Sequence, residues 1–168
     1  MIILFQSLKM PCHRETQMQG GNHRVDVTVN LAGEAKFYID VNVSNPAARS
    51  YVTQLQSDTI PYATSKHSEQ MKRNKYATVF ARQNPPIAMT QFVPFIMETT
   101  GRIGQEGETF LEKLKDYSRP EINTEYHIIN KFKANIRKII ARGNAKCFLE
   151  FHRDIKVLCP QVTQAPNQ

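Results

Sequence analysis

Arg24-Val25-Asp26-Val27-Thr28-Val29, followed by Phe37-Tyr38-Ile39-Asp40-Val41-Asn42-Val43, is the stretch that decides how this chain is read. β-Branched and aromatic residues dominate both runs. Ala32-Gly33-Glu34 supplies a turn signal between them, so the pair reads as a hairpin over roughly 25–43. Period-two alternation puts Ile39, Val41 and Val43 on one face of the second strand, and Tyr38, Asp40 and Asn42 on the other. In the first strand it sets Asp26 and Thr28 against Val25, Val27 and Val29. A carboxylate in such a run is costly to bury unless a cation or a donor compensates it. Two of them on adjacent strands point to a site that holds a divalent metal.

Outward from the hairpin, residues 1–24 are polar and irregular, with Gly20-Gly21 marking a loop. Asn45-Pro46 reads as an N-cap followed by proline at the first helical position, opening a short helix to about Gln56. A longer helix is expected from Ala63 to Gln83, ending before Pro85-Pro86. Phe92-Val93-Pro94-Phe95-Ile96-Met97-Glu98 is the next strand, and its proline favours an edge position or a bulge. Gly101 and Gly104 break the chain before a helix from Glu106 to Tyr117. Ser118-Arg119-Pro120-Glu121 has capping-box spacing for a further helix, with Asn123 as the alternative cap. Ile128, Ile129, Phe132, Ile136, Ile139 and Ile140 give that helix an apolar stripe, and Gly143-Asn144 is expected to end it. Cys147, Phe148, Phe151, Ile155 and Leu158 mark a last short helix, and the polar tail from Pro160 reads as frayed. The chain divides into an irregular segment (1–24), an α/β core (25–117), basic C-terminal helices (118–158) and a tail (159–168).

The length of 168 residues fits one domain, or one domain with an appendage. A net charge of +7 favours an anionic partner. The excess is concentrated: residues 131–156 carry eight Lys/Arg against two Asp/Glu, whereas residues 85–130 carry four against seven. A basic cluster on one element is a better nucleic-acid signal than a diffuse excess, although a solvated helix face reads the same way. Lys131, Lys133, Arg137, Lys138, Arg142 and Lys146 are the candidate phosphate contacts. Such contacts give affinity without sequence information. Cys12, Cys147 and Cys159 form no CxxC pair and no even framework, which implies a reducing compartment. Met1-Ile2-Ile3-Leu4-Phe5 is too short for a signal-peptide core, and no segment has the apolar length of a membrane span. The expectation is an intracellular, soluble chain whose ragged start reads as a piece of a longer polypeptide.

Phosphodiester hydrolysis needs a divalent cation held by acidic oxygens, a polarised water and a positive group near the developing charge. Magnesium suits such a site because it binds through one or two carboxylates and keeps other positions for water and phosphate. Asp26 and Asp40 meet the first need if the strands pair antiparallel. On the second strand, Asn42 stands where an ammonium would otherwise face the pair. The 63–83 helix offers a substitute. On a helical wheel Lys72 lies within about 40° of both Tyr76 and Val79. If these residues and Phe80 pack on the sheet, Lys72 points inward, while Lys75 lies further round towards solvent.

The runs Arg24-Val25-Asp26-Val27, Phe37 to Pro46, Met71-Lys72-Arg73-Asn74-Lys75-Tyr76 and Phe92 to Gly101, with Arg142-Gly143-Asn144-Ala145, together resemble a known family. It is the restriction-endonuclease-like domain at the C-terminal end of reverse-transcriptase proteins of non-LTR retroelements. The resemblance covers about residues 13–150. It implies a restriction-endonuclease-like α/β fold, a small mixed sheet flanked by helices with a basic C-terminal helical extension. It also implies Mg²⁺ or Mn²⁺ on Asp26 and Asp40, with Lys72 replacing the second-strand lysine. Lys75 and Tyr76 match the end of the same helix motif, with Tyr76, Lys75 and Asn42 supporting the site. Val25 departs from the family's proline before the first aspartate. Glu15 is a candidate for the acidic residue such nucleases carry on a preceding helix. Glu98 reads as a structural ion-pair residue, and Cys12-His13 lacks partners at zinc-ligand spacing.

The implied activity is nicking of target DNA to expose a primer end, in the nucleus. DNA, or the element's own RNA, is the implied partner, and a reverse-transcriptase domain is expected in a full-length parent. Two other readings stay open at this level. One is an inactive relic of the nuclease fold that binds nucleic acid through its basic helix. The other is an interaction module whose aspartates pair with arginines such as Arg24.

Overall fold

A computed structural model describes the backbone of residues 1–8, 10–20, 22–31, 36–117 and 124–158, and their side chains apart from 116–117, 124–126 and 151–158. Four strands, β1 (Cys12–Gln17), β2 (Arg24–Asn30), β3 (Lys36–Ser44) and β4 (Phe92–Glu98), lie side by side in that order. β1 pairs antiparallel with β2, and β2 antiparallel with β3, where Val27 stands opposite Ile39. β4 runs parallel to β3, with Pro94 opposite Asp40, so the sheet is mixed. β4 is an edge strand, the position its proline favours. A parallel neighbour needs a crossover, and the segment between β3 and β4 supplies it with α2 (Arg49–Leu55) and α3 (Ala63–Ala81). α1 (Ile2–Ser7), α4 (Gln105–Tyr117) and α5 (Thr124–Leu158) complete the fold. No helix among the described residues is long and apolar enough to cross a membrane.

Alternation along the strands sends two apolar groups to opposite faces of the sheet. Ile39, Val93 and Phe95 join Leu4 and Phe5 of α1, Phe110, Leu111 and Leu114 of α4, and Ile129 and Ile136 of α5. On the other face, Phe92 and Tyr38 pack with Tyr76, Val79 and Phe80 of α3. The helices therefore form two layers around the sheet, with α3 on one side and α1, α4 and α5 on the other.

Several expectations need correction. Residues 1–24 are not irregular: Leu4 and Phe5 are buried on α1, and β1 pairs along β2. β1 is an edge strand whose side chains are mostly exposed, so it shows no apolar alternation. Asn45 does not cap a helix. Its Oδ1 accepts the Ala47 N–H at 3.0 Å, a local turn that delays α2 until Arg49, after an N-cap at Ala48. Gly143-Asn144 does not stop the last helix, and the two helices expected there are one, α5. A mid-helix glycine costs only about 1 kcal/mol relative to alanine, and the Asn144 amide instead donates to the Thr99 carbonyl at 2.7 Å. Val43, assigned to the greasy face, is half-exposed at the end of β3. The Ala32-Gly33-Glu34 turn, Gly21, the 118–123 capping candidates and the tail from residue 159 lie outside the described residues.

Alternation in β2 also breaks. Val27 and Val29 face the α4 and α5 side, but Val25 packs with Tyr76 and Phe80 on the α3 side. Across the ladder, Glu15, between the Arg14–Val27 and Thr16–Val25 pairs, has φ +48°, and the β1–β2 pairing is interrupted opposite Asp26.

Gly107 on α4 gives a test of the packing against the sheet. A Cβ there would lie 2.9 Å from Ile103 Cγ2 and 3.1 Å from a Phe95 ring carbon. Helix propensity alone favours Gly107→Ala by about 1 kcal/mol, whereas overpacking a core costs about 1–3 kcal/mol. Packing wins because both neighbours are buried. Gly107→Ala is expected to lower the melting temperature, and a rise would show that α4 sits looser on β4 than described.

Candidate metal and phosphate site

α3 meets the sheet with one face of two characters. Its C-terminal half buries Tyr76 and Phe80, while its N-terminal half buries Thr64, Ser65, Ser68 and Glu69. Lys72 lies between the halves on the same face, following the i, i+3, i+7 spacing from Glu69 through Lys72 to Tyr76. The ammonium points inward as the wheel predicts. It forms an ion pair with Asp40 Oδ2, with side-chain exposures of 22% for Lys72 and 6% for Asp40. The Tyr76 hydroxyl stands between two acceptors, the Arg24 carbonyl at 2.6 Å and Asp40 Oδ1 at 3.2 Å. Burial, then the charge and hydrogen bond of Asp40, then the charge of Asp26, push the Tyr76 hydroxyl well above its ordinary value. Tyr76 is therefore a neutral donor that reports both carboxylates.

Asp26 is placed by a gap in the ladder. The β2–β3 pairing stops at Val27–Ile39, so the next inward N–H of β3, that of Val41, lacks a regular partner. Asp26 Oδ2 accepts it at 2.6 Å. The carboxylate thus sits beside the residue that follows Asp40, on the adjoining strand. Asn42 lies further along β3, opposite Ile96, and is half-buried. The donors offered around Asp26 and Asp40 are all oxygen. Two carboxylates suit a hydrated magnesium or manganese ion and do not make a closed zinc site. Among the described residues no cluster of three His, Cys, Asp or Glu could hold a metal by itself.

Other sequence candidates are placed differently. Glu15 lies on β1, not on a helix, and its carboxylate meets Arg24 at 3.2 Å in an exposed pair. The Arg24 guanidinium is directed at β1 in that pair, which between two exposed side chains is worth little. Lys75 is exposed, with Nζ 5.0 Å from the centre of the Tyr76 ring. Glu98 is buried at the end of β4, near Arg102 at 3.8 Å. It lies four residues along the strands from the Asp40–Pro94 pair, about 13 Å away, so it does not share the aspartate site.

The basic residues of α5 separate into two sets. At about 100° per residue, Lys131, Lys138, Arg142 and Lys146 share one stripe, and all four are exposed. Lys133 is on the other flank and is paired with Glu108 and Glu112 of α4, which ties α5 to α4. The Arg137 stem lies against Gly101, where a Cβ would come within 3.2 Å of its Cγ, so its aliphatic part closes the β4–α4 turn. The Lys146–Glu150 pair, at 3.8 Å between exposed side chains, is worth little.

Two residues near the site escaped the sequence reading. Glu69, three positions before Lys72, sends Oε1 to the Glu106 N–H at 3.0 Å and so caps α4 from α3. Its helical spacing was the available signal. His23, in the turn before β2, sets its ring edge-on to Tyr76 at 6.5 Å between centroids, and no sequence pattern marks it.

Glu69 supplies a pH test. Burial, the largest influence, holds its carboxyl above the ordinary value, against the opposing Glu106 N–H. A raised value means the folded chain binds this proton more tightly than the unfolded chain. The Glu69 contribution therefore favours the fold at low pH and is lost as pH rises through the folded value. Glu69→Gln keeps the acceptor and removes the charge. It is expected to raise the melting temperature at pH 7, and the gain should vanish below about pH 4. A lower melting temperature at pH 7 would contradict this account.

Compared with protein-family models, curated proteins and solved structures, the chain finds no match in any of the three.

Proposed function

We propose that this chain is a metal-dependent DNA endonuclease domain of the restriction-endonuclease-like fold, derived from a retroelement, which nicks phosphodiesters. The observation that carries the reading is the arrangement around Tyr76: Asp40 and Asp26 on neighbouring strands, with Lys72 reaching in from the helix. The motif resemblance supports it, as does a mixed four-stranded sheet with helices on both faces. Asp26 and Asp40 would hold Mg²⁺ or Mn²⁺, which when bound supplies a polarised water and offsets charge on the phosphate. Lys72, fixed by α3 beside Asp40, stabilises the charge that builds on the phosphate. Tyr76 positions Asp40 through its hydrogen bond and keeps the lysine's half of the helix on the sheet. The exposed stripe of Lys131, Lys138, Arg142 and Lys146 would bind backbone phosphates of DNA, or of element RNA. Action in the nucleus and attachment to a reverse transcriptase belong to the same proposal.

A second reading has an observation of its own. Both Asp40 oxygens and one Asp26 oxygen already have partners within the chain. The same groups would then serve only to fix α3 on the sheet of an inactive nucleic-acid-binding module. Incubation with supercoiled plasmid in Mg²⁺ or Mn²⁺ separates the two readings. The nuclease converts plasmid to the nicked form, and the inactive module retards it without cutting.

A further inference from the structure

Topology leaves the acid pair without cations from α5. That helix packs on the sheet face of Ile39 and Phe95, whereas Asp40 faces α3 on the opposite side. Phosphates held by the α5 stripe are therefore not those that approach Asp26 and Asp40. On the α3 side, Lys72 pairs with Asp40 and Arg73 with Glu106, and Arg24 meets Glu15 in an exposed pair. Asp26 and Asp40 set two carboxylates against the one ammonium of Lys72, so a phosphate brought to this pair is repelled until other positive groups or donors meet it.

Two such groups stand against the same ring. Lys75 Nζ is 5.0 Å from the centre of Tyr76, and the His23 ring is 6.5 Å from it, edge-on. Both residues are exposed. The Tyr76 hydroxyl end is bonded to the Arg24 carbonyl and Asp40, so the buried ring that His23 and Lys75 flank is tied to one member of the acid pair. They come from different elements, the turn before β2 and the solvent side of α3, and converge on one side chain.

We propose that His23 and Lys75 form a phosphate seat beside the Tyr76 ring, which holds the nucleic-acid backbone against the Asp26–Asp40 pair. This rests on the nuclease reading above. Lys75 contributes a point charge and His23 a ring N–H donor. Neither enters the bond-breaking step, so their loss weakens substrate capture more than turnover.

The test uses the full chain, a short DNA duplex followed by fluorescence anisotropy across a salt series, and steady-state nicking of supercoiled plasmid. Lys75→Ala is expected to lower the slope of log affinity against log salt by about 0.9, the release expected for one duplex phosphate contact. Lys75→Ala and His23→Ala should each raise KM about tenfold and leave kcat within about threefold, as loss of uniform binding does. Lys66→Ala, an exposed lysine one end of α3 away, should change neither quantity. If Lys75→Ala and His23→Ala behave like Lys66→Ala while Asp40→Asn abolishes nicking, the seat is refuted and the nuclease reading survives. If the parent chain does not nick, or Asp40→Asn nicks as well as the parent, the nuclease reading falls and the seat falls with it.

Discussion

Asp40→Asn is expected to cut plasmid nicking in Mg²⁺ or Mn²⁺ by about a thousandfold, equivalent to about 4 kcal/mol of transition-state stabilisation. The substitution preserves shape, and its amide oxygen still accepts the Tyr76 hydroxyl that Asp40 Oδ1 accepts now. What it removes is the charge that pairs with Lys72 and that would help hold the metal. Salt-sensitive DNA binding should persist, because the exposed stripe on α5 is on the far face of the sheet. Loss of nicking together with loss of binding would mean that the domain had unfolded, and the melting curve of the variant distinguishes that case. Full activity would remove Asp40 from the chemistry.

Lys72→Met should act on stability as well as on activity. Breaking a buried ion pair by deleting one partner costs about 3–5 kcal/mol, because a charge is left without compensation. Lys72 is 22% exposed, and Asp40 keeps its bond from Tyr76. Partial hydration and that donor place the expected loss nearer about 2–3 kcal/mol, read from the denaturant midpoint. The double variant Asp40→Asn/Lys72→Met removes both charges and should recover most of that stability, because a neutral pair needs no compensation. Nicking should be lost in both. Equal stability of Lys72→Met and the parent chain would show that the ammonium is solvated in solution and that the inward pair does not form.

Much of the frame was legible because it depends on short-range pattern. The β2–β3 runs, the proline that puts β4 at the edge and the α3 stripe are all encoded within one or two turns of chain. Lys72 was legible for the same reason, since one turn of helix links it to Tyr76. The features that escaped depend on contacts across the chain. β1 exists because β2 offers it a ladder, not because its own residues alternate. The side switch at Val25 stands beside a left-handed Glu15 on the neighbouring strand, and a residue with a Cβ gives no warning of such a conformation. α5 continues through Gly143 because a mid-helix glycine is a modest penalty and Asn144 finds a partner on another element. Lys133 and Glu15 looked available in sequence, and partners on α4 and β2 claim them. Charge counted along the chain could not show that the α5 stripe and the aspartates lie on opposite faces.

The most direct measurement is a calorimetric titration of Mn²⁺ into the parent chain, Asp26→Asn and Asp40→Asn. Binding near the millimolar range by the parent chain, lost in both variants while their melting curves stay cooperative, is the predicted result. Identical heats from all three, or none from the parent chain, would contradict a metal shared by Asp26 and Asp40.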